Sequence, residues 1–495
     1  MVSPLIKSIA FPTGQKYDQP TGLYINGEWR ESKDTIDVIN PSNGEVITSV
    51  YAAQESDVDN AVASARKAFK SWKKVTGEER GALMNRLADL LEKNAETVAG
   101  IEALDAGKPQ FSNALPDIEG SVAILRYCAG WADKIYGNVI PSGPDKLLTS
   151  KRIPYGVVSQ IVPWNYPLNM AMWKIAPALC AGNCIVIKSS ESSPLSLLYF
   201  AELVNTAGFP PGVLNIISGL GPVAGARMAS HPDVDKIAFT GSTKTGKEIQ
   251  KLASSNLKTV TLECGGKSPL IVFDDAKLNQ AIYWAAFGIM YNTGQICTAN
   301  SRILVQDTIY DDFIEKFKAH VQENWFIGSP FDKKSTMGPV INKSQFEKVK
   351  HYIQRGKEEG AKLVIGDEPV TFESGYWIHP TIFVDCTQNM SIVKDEIFGP
   401  VVAISKFRSQ EEAIELANDT EYGLAAMVFS KDIVTANTVA SQLEAGTVYI
   451  NSSNDDNIRV PFGGFKMSGT GSELGMEGVL AYTKIQAIHT NLTRD

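Results

Sequence analysis

The sequence predicts an α/β chain built on a doubly wound parallel sheet, with a second α/β series behind it. Two observations carry that prediction. From Pro154 onward, short apolar runs at 156–161, 184–188, 213–217, 236–240 and 259–263 read as buried strands, and stretches at 193–207, 222–230 and 245–254 read as the helices between them. Strands alternating with helices imply parallel pairing, because the helix returns the chain to begin the next parallel strand. Past Gly265 the alternation resumes at 270–273, 280–292, 302–305 and 309–324. In such sheets, ligands bind beyond the carboxyl ends of the strands.

Ahead of the first series, Gly22-Leu23-Tyr24-Ile25-Asn26-Gly27-Glu28-Trp29 reads as a hairpin closed by an Asn-Gly turn, and 38–47 repeats that grammar around Asn43-Gly44. Ser56 and Asp59 are placed to form a capping box ahead of a helix over 58–72. Leu83, Leu87, Leu90, Leu91 and Val98 give helical spacing across 78–103. The tail, 480–492, alternates weakly and suits a strand that pairs with another segment or subunit.

A chain of 495 residues suits two or three domains. The net charge of −8 makes nucleic acid and anionic membrane surfaces poor partners. Six cysteines without regular spacing, and five scattered histidines, point to a reducing compartment and no metal site. The N-terminus lacks a continuous apolar run, and the apolar stretch 161–187 is broken by Pro163, Pro167, Lys174 and Pro177, so no membrane span is expected. A cytoplasmic protein is expected.

One stretch holds the chemistry. Glu263 precedes Gly265-Gly266, where a carboxylate is either a solvated strand end or a base held at a sharp turn. Further on, Cys297 follows Gly294-Gln295 and precedes Thr298-Ala299-Asn300-Ser301, which do not read as core. A thiol there is either an idle loop cysteine or a nucleophile; Cys180 and Cys184 sit in apolar runs that suit structural cysteines. Two glycine clusters compete for a phosphate. Gly219 to Gly225 has one residue too many for the dinucleotide fingerprint. Gly241-Ser242-Thr243-Lys244-Thr245-Gly246-Lys247-Glu248 nearly spells a nucleotide-hydrolysing phosphate loop, but Glu248 stands where a magnesium-holding hydroxyl belongs. It still suits a helix N-terminus facing a pyrophosphate.

Glu263-Cys264-Gly265-Gly266-Lys267-Ser268-Pro269 and Gly294-Gln295-Ile296-Cys297, with Pro163-Trp164-Asn165-Tyr166-Pro167, Phe239-Thr240-Gly241-Ser242-Thr243, Glu396-Ile397-Phe398-Gly399-Pro400 and Pro461-Phe462-Gly463-Gly464-Phe465-Lys466, stand in the order of the NAD(P)-dependent aldehyde dehydrogenase superfamily. The chain resembles that family from Gly22 to about His489, and looks most like cytosolic fungal members of the budding-yeast kind. The resemblance implies an NAD-binding domain at 1–132 and 154–263, a catalytic domain at 264–467, and a small β oligomerisation element at 133–153 and 482–495 that makes a homodimer or homotetramer. It implies Cys297 as nucleophile and Glu263 as the base for hydrolysis. It gives Asn165 and the Cys297 N–H as oxyanion donors, and Lys174 as either a proton-relay group or a surface lysine. For the cofactor it implies Lys188 and Glu191 at the adenine-side ribose, Gly241 and Ser242 at the pyrophosphate, Glu396 and Phe398 at the nicotinamide ribose, and Trp164 nearby. A carboxylate at Glu191 suits the free 2′-OH of NAD, though some family members with this Glu use NADP.

The substrate side by the same matching is Tyr166, Asn169, Trp173, Tyr291, Asp455 and Asp456. The loop 451–459, usually aromatic or aliphatic in the family, here carries Asp455 and Asp456. Carboxylates at a tunnel mouth favour a cationic aldehyde over a fatty one; the alternative is that both face solvent or pair with Arg459. Small aldehydes such as acetaldehyde, and ω-amino-aldehydes such as 3-aminopropanal, are the expected substrates. A betaine- or trimethylaminobutyraldehyde-type enzyme and an NADP-preferring one are the runners-up. Most relatives carry Arg where Ser472 stands, a change that bears on an ion pair.

Overall fold

The structure is a computed structural model that describes residues 5–493. Its larger sheet has eight strands. Val157–Ile161 lies between Cys184–Lys188 and Lys236–Thr240, with Leu214–Ile217 and Thr259–Glu263 beyond them, all parallel. The chain therefore builds outward to one side and then restarts on the other side of Val157–Ile161. Segments leaving the carboxyl ends of Val157–Ile161 and Lys236–Thr240 diverge there, which opens the crevice in which such sheets hold ligands. Trp164-Asn165 and Gly241-Ser242 are those segments. The hairpin Leu23–Ile25/Glu28–Arg30 closes one edge antiparallel, with Asn26 and Gly27 both left-handed in the turn.

After Glu263 the chain crosses into a seven-stranded sheet. Pro269–Val272 and Arg302–Gln306 pair in parallel at its centre, with Pro269 opposite Arg302. Glu263 lies just before the first of these strands and Cys297 just before the second. This pairing, not proximity in sequence, brings the two together. A third sheet joins Thr483–Asn491 to Lys146–Pro154 and Asn138–Ile140. It leaves Val139, Ile140, Leu147 and Ile485 exposed.

Several local expectations are corrected. The first long helix starts at Glu55, and the Asp57 carboxylate, not Asp59, takes the Gln54 N–H at 2.9 Å. The helical run 78–103 is two helices, Gly77–Lys93 and Ala95–Asp105. They part at Asn94, whose amide donates back to the Leu90 carbonyl at 2.8 Å. Leu115–Trp131 and Pro167–Cys180 are further helices that pack on one another and carry much of the site. Among the described residues, no helix is long and apolar enough to cross a membrane.

Candidate active site

One cavity of about 620 Å³ opens at the crevice and is lined by Cys297, Glu263, Asn165, Trp164, Gly241, Ser242, Glu396, Phe398, Tyr166, Asn169, Trp173, Tyr291 and Asp456. Lys188, Glu191, Lys174 and Asp455 do not line it.

The loop that delivers Cys297 is held in a costly shape. Asn292, Thr293 and Gly294 are all left-handed, with φ of 49°, 55° and 69°. A β-branched residue there is a true outlier, at a cost of order 1–3 kcal/mol. Tertiary bonds enforce it. The Thr293 hydroxyl donates to the Gly338 carbonyl at 3.0 Å, and the Gln295 side-chain oxygen accepts from Ile341 N at 3.0 Å. A Cβ on Gly294 would lie 2.2 Å from the Gly399 carbonyl, and one on Gly266 would lie 2.4 Å from the Cys297 carbonyl. Thr298 and Asn300, although polar, are buried. Asn300 donates to the Ala285 carbonyl at 2.9 Å and accepts from Ser453 at 2.8 Å, which satisfies a polar core the sequence did not suggest. Cys297 itself stays partly accessible while the other cysteines are buried. Burial of the thiol, then the Glu396, Glu263 and Asp456 charges, push its pKa up.

Glu263 is no solvated strand end. It is 4% exposed, and both carboxylate oxygens are buried without a hydrogen-bond partner. Burial raises its pKa well above the ordinary carboxylate range, and the Glu473 charge adds to this while Lys174 opposes it. Lys174 is buried rather than a surface lysine, and forms a short ion pair with Glu473. Asn165 is stitched to the loop that carries Cys297. Its amide nitrogen donates to the Gln295 carbonyl at 2.9 Å, and its own carbonyl accepts from Asn292 at 3.1 Å. One amide N–H of Asn165 remains for a ligand.

Along the crevice, Ser242 caps the helix Thr243–Ala253 and its hydroxyl accepts from Thr245 N at 3.2 Å. The helix N-terminus thus faces the crevice with partial positive charge. The buried Thr240 hydroxyl beside it has no partner. Glu396 accepts from Gly266 N at 3.0 Å, and a Cβ on Gly265 would lie 2.3 Å from its carboxylate. Phe398 is left-handed at φ 62°, held by Gln345, which donates to its carbonyl at 2.8 Å, and it meets the Trp164 ring edge-on at 5.3 Å. Lys188 is buried, donating to the Gly219 carbonyl at 2.6 Å and to Glu191 at 3.3 Å, and Glu191 stays 43% exposed. An anion-binding helix end, an exposed carboxylate for a diol, and an unpartnered hydroxyl form a donor set that fits a dinucleotide.

On the other side of Cys297, Tyr166, Trp173, Phe287, Tyr291 and Phe462 form an aromatic wall. Asp456 is accessible yet ringed by protein. It takes a short hydrogen bond from the Tyr449 phenol, and its pKa is raised by burial against that bond. Asp455 is exposed and does not line the cavity. Asn169 spends its amide nitrogen on the Asp117 carbonyl, at 2.9 Å, and on Ser121, so it is a fixed wall.

The sequence model of the aldehyde dehydrogenase family matches residues 29–488. The chain belongs to the aldehyde dehydrogenase family. It is 63% identical over 491 residues to an aldehyde dehydrogenase-like protein of Schizosaccharomyces pombe, covering 99% of each. It is 52% identical over 488 residues to aldehyde dehydrogenase [NAD(P)+] 1 of Saccharomyces cerevisiae, covering 96% of each. Among solved structures, betaine aldehyde dehydrogenase of Staphylococcus aureus in complex with NAD+ superposes with a TM-score of 0.94 at 42% identity, covering 96% of each chain.

In this aldehyde dehydrogenase the sequence reading passed over Glu473, Asp117 and Phe287, which line the cavity, and Tyr449, which holds Asp456. Glu473 offered one signal, an acid inside the glycine-bracketed run 471–475. Phe287 sits one helical turn before Tyr291, which could have marked both.

Proposed function

We propose that this enzyme oxidises small aldehydes to carboxylates through an acyl–Cys297 thioester, with NAD as its cofactor and with ω-amino-aldehydes such as 3-aminopropanal as favoured substrates. The observation that carries this reading is one cavity lined by an accessible thiol, a buried carboxylate with both oxygens free, and the Asp456 carboxylate. Cys297 loses its proton to solvent through the open cavity and its sulfur bonds to the aldehyde carbon. The carbonyl electron pair moves onto oxygen, where the free Asn165 N–H meets it; one such donor is worth about 3–4 kcal/mol. As the oxyanion collapses, the carbon sheds hydride and becomes a thioester. The nicotinamide, when bound, supplies the hydride acceptor. Glu263 then takes a proton from water, whose oxygen bonds to the thioester carbon. The C–S bond breaks, and carboxylate leaves with the thiol restored. The raised pKa of Glu263 suits a base that must also release its proton at each turnover. The Lys174–Glu473 pair stands behind it and moderates its charge.

In this reading Lys188 and Glu191 serve the adenine-side ribose, Gly241 and Ser242 the pyrophosphate, and Glu396 and Phe398 the nicotinamide ribose. The exposed Glu191 carboxylate supports NAD over NADP, since a 2′-phosphate there meets like charge. Glu191→Gln is expected to raise kcat/KM for NADP relative to NAD, and an unchanged ratio would remove Glu191 from cofactor selection. Exposed apolar residues on the three-stranded sheet support a homodimer or homotetramer, and six free cysteines support a cytoplasmic setting.

The substrate reading rests on Asp456, since Asp455 does not line the cavity. In wild type, 3-aminopropanal is expected to exceed butanal, its neutral isostere, in kcat/KM. Asp456→Asn is expected to shrink that preference about 10-fold, which corresponds to about 1.4 kcal/mol. Equal shrinkage in Asp455→Asn, or none in Asp456→Asn, would sink it. The aromatic wall also suits a trimethylammonium group by cation–π attraction, and the same assay with betaine aldehyde decides between the two cations.

A further inference from the structure

We infer that Lys108 is a positioning residue for the oxyanion-side amide, its buried ammonium fixing the Asn165–Tyr166 turn from behind. The inference rests on the reading of Asn165 as an oxyanion donor. Lys108 is 2% exposed and does not line the cavity, so it cannot touch a substrate. Its Nζ donates to the Asn165 carbonyl at 2.9 Å, lies 3.8 Å from the centroid of the Tyr166 ring, and pairs closely with Asp117. Each of those three partners does line the cavity.

The ammonium is itself held firmly. Gly107 before it is left-handed at φ 72°, and a Cβ there would lie 2.8 Å from the rings of Pro41 and Pro339. The loop that presents Lys108 is therefore wedged between two rigid residues. A turn below, Glu102 accepts from Leu168 N at 2.9 Å, so the same segment also anchors the start of the helix that follows Asn165.

Two effects follow from this placement. Asn165 is pinned at its carbonyl by Lys108 and Asn292, and at its amide by Gln295, which leaves one N–H with a fixed direction. An oxyanion hole needs that preorganisation, because a displacement of about 1 Å costs about 100-fold in rate. In addition, Lys108 neutralises Asp117. Uncompensated, that carboxylate would oppose the negative charge that develops on the substrate oxygen.

The test uses the full-length enzyme. Lys108→Met is expected to lower kcat for neutral and amino-aldehydes alike by about 100-fold, with KM for NAD and the rate of Cys297 alkylation by iodoacetamide unchanged. Alkylation needs the thiol but no oxyanion donor, so it separates lost positioning from a collapsed pocket. Lys108→Met/Asp117→Asn removes the stranded carboxylate and keeps the fold testable; it is expected to stay slow. Lys108→Arg, which can still donate to the Asn165 carbonyl, is expected to recover most of the rate. A double variant at wild-type kcat would overturn the inference, since Lys108 would then be only a counter-ion. Alkylation slowed in step with kcat would overturn it too. Asn165→Ala, run alongside, separates the two levels. If it keeps wild-type kcat, the oxyanion reading fails; if it is slow while Lys108→Met is fast, only the inference fails.

Discussion

Glu263→Gln is expected to produce NADH in one burst of one equivalent per subunit, after which turnover falls by about 10²–10⁴, the usual contribution of a general base. Glutamine keeps the volume of a fully enclosed side chain and removes its ability to take a proton. Acylation survives because Cys297 is partly accessible and can lose its proton to solvent. Hydrolysis does not, because the structure offers the thioester no other unpartnered carboxylate of comparable burial among those that line the cavity. The pH dependence follows with a definite sign. Burial and Glu473 raise the Glu263 pKa, so the basic form is scarce at low pH and grows as pH rises. The Cys297 thiol is raised as well and moves acylation in the same direction. Wild-type kcat should climb from neutral to alkaline pH, and Glu263→Gln should lose the hydrolytic part of that climb. A steady-state rate in Glu263→Gln near that of wild type would mean another base.

Cys297→Ala is expected to lose turnover by at least about 10⁴-fold, as removal of a nucleophile does elsewhere. Binding of NAD, followed by quenching of tryptophan fluorescence, should persist, because Lys188, Glu396 and Phe398 are held by bonds that do not involve the thiol. In wild type, iodoacetamide should modify one cysteine per subunit first, since the remaining thiols are buried. Turnover that survives the substitution would place the nucleophile elsewhere.

The parts of this architecture that were legible in sequence share a physical cause. Cys184–Lys188 and Lys236–Thr240 are strands buried from end to end, and Thr259–Glu263 is buried over its last three residues; all are written as short β-branched runs with sharp polar or glycine boundaries. The hairpin at Asn26-Gly27 was legible because only a few residue pairs tolerate two left-handed positions. The helix Leu115–Trp131 was not, because Pro116, Ala123 and Gly130 stand on its exposed face and blur the buried stripe of Ile118, Val122, Leu125 and Cys128. The site divides in the same way. Cys297 and Glu263 stand in motifs, whereas their partners are fixed by long-range contact. Lys174 finds Glu473 across 299 residues, and Lys108 finds Asn165 across 57. No local pattern encodes such pairings. Asp455 and Asp456 were indistinguishable for a related reason: which of two neighbours faces the cavity depends on the Tyr449 phenol, which lies on a strand of the second sheet.

The most direct test of the central claim is an intact-mass measurement on Glu263→Gln, quenched in acid shortly after mixing with propanal and NAD. The predicted result is a chain heavier by one propanoyl group, mapped by peptide digestion to Cys297 and absent when NAD is left out. NADH formed from a chain of unchanged mass, or a propanoyl group on Cys264 instead, would contradict the account.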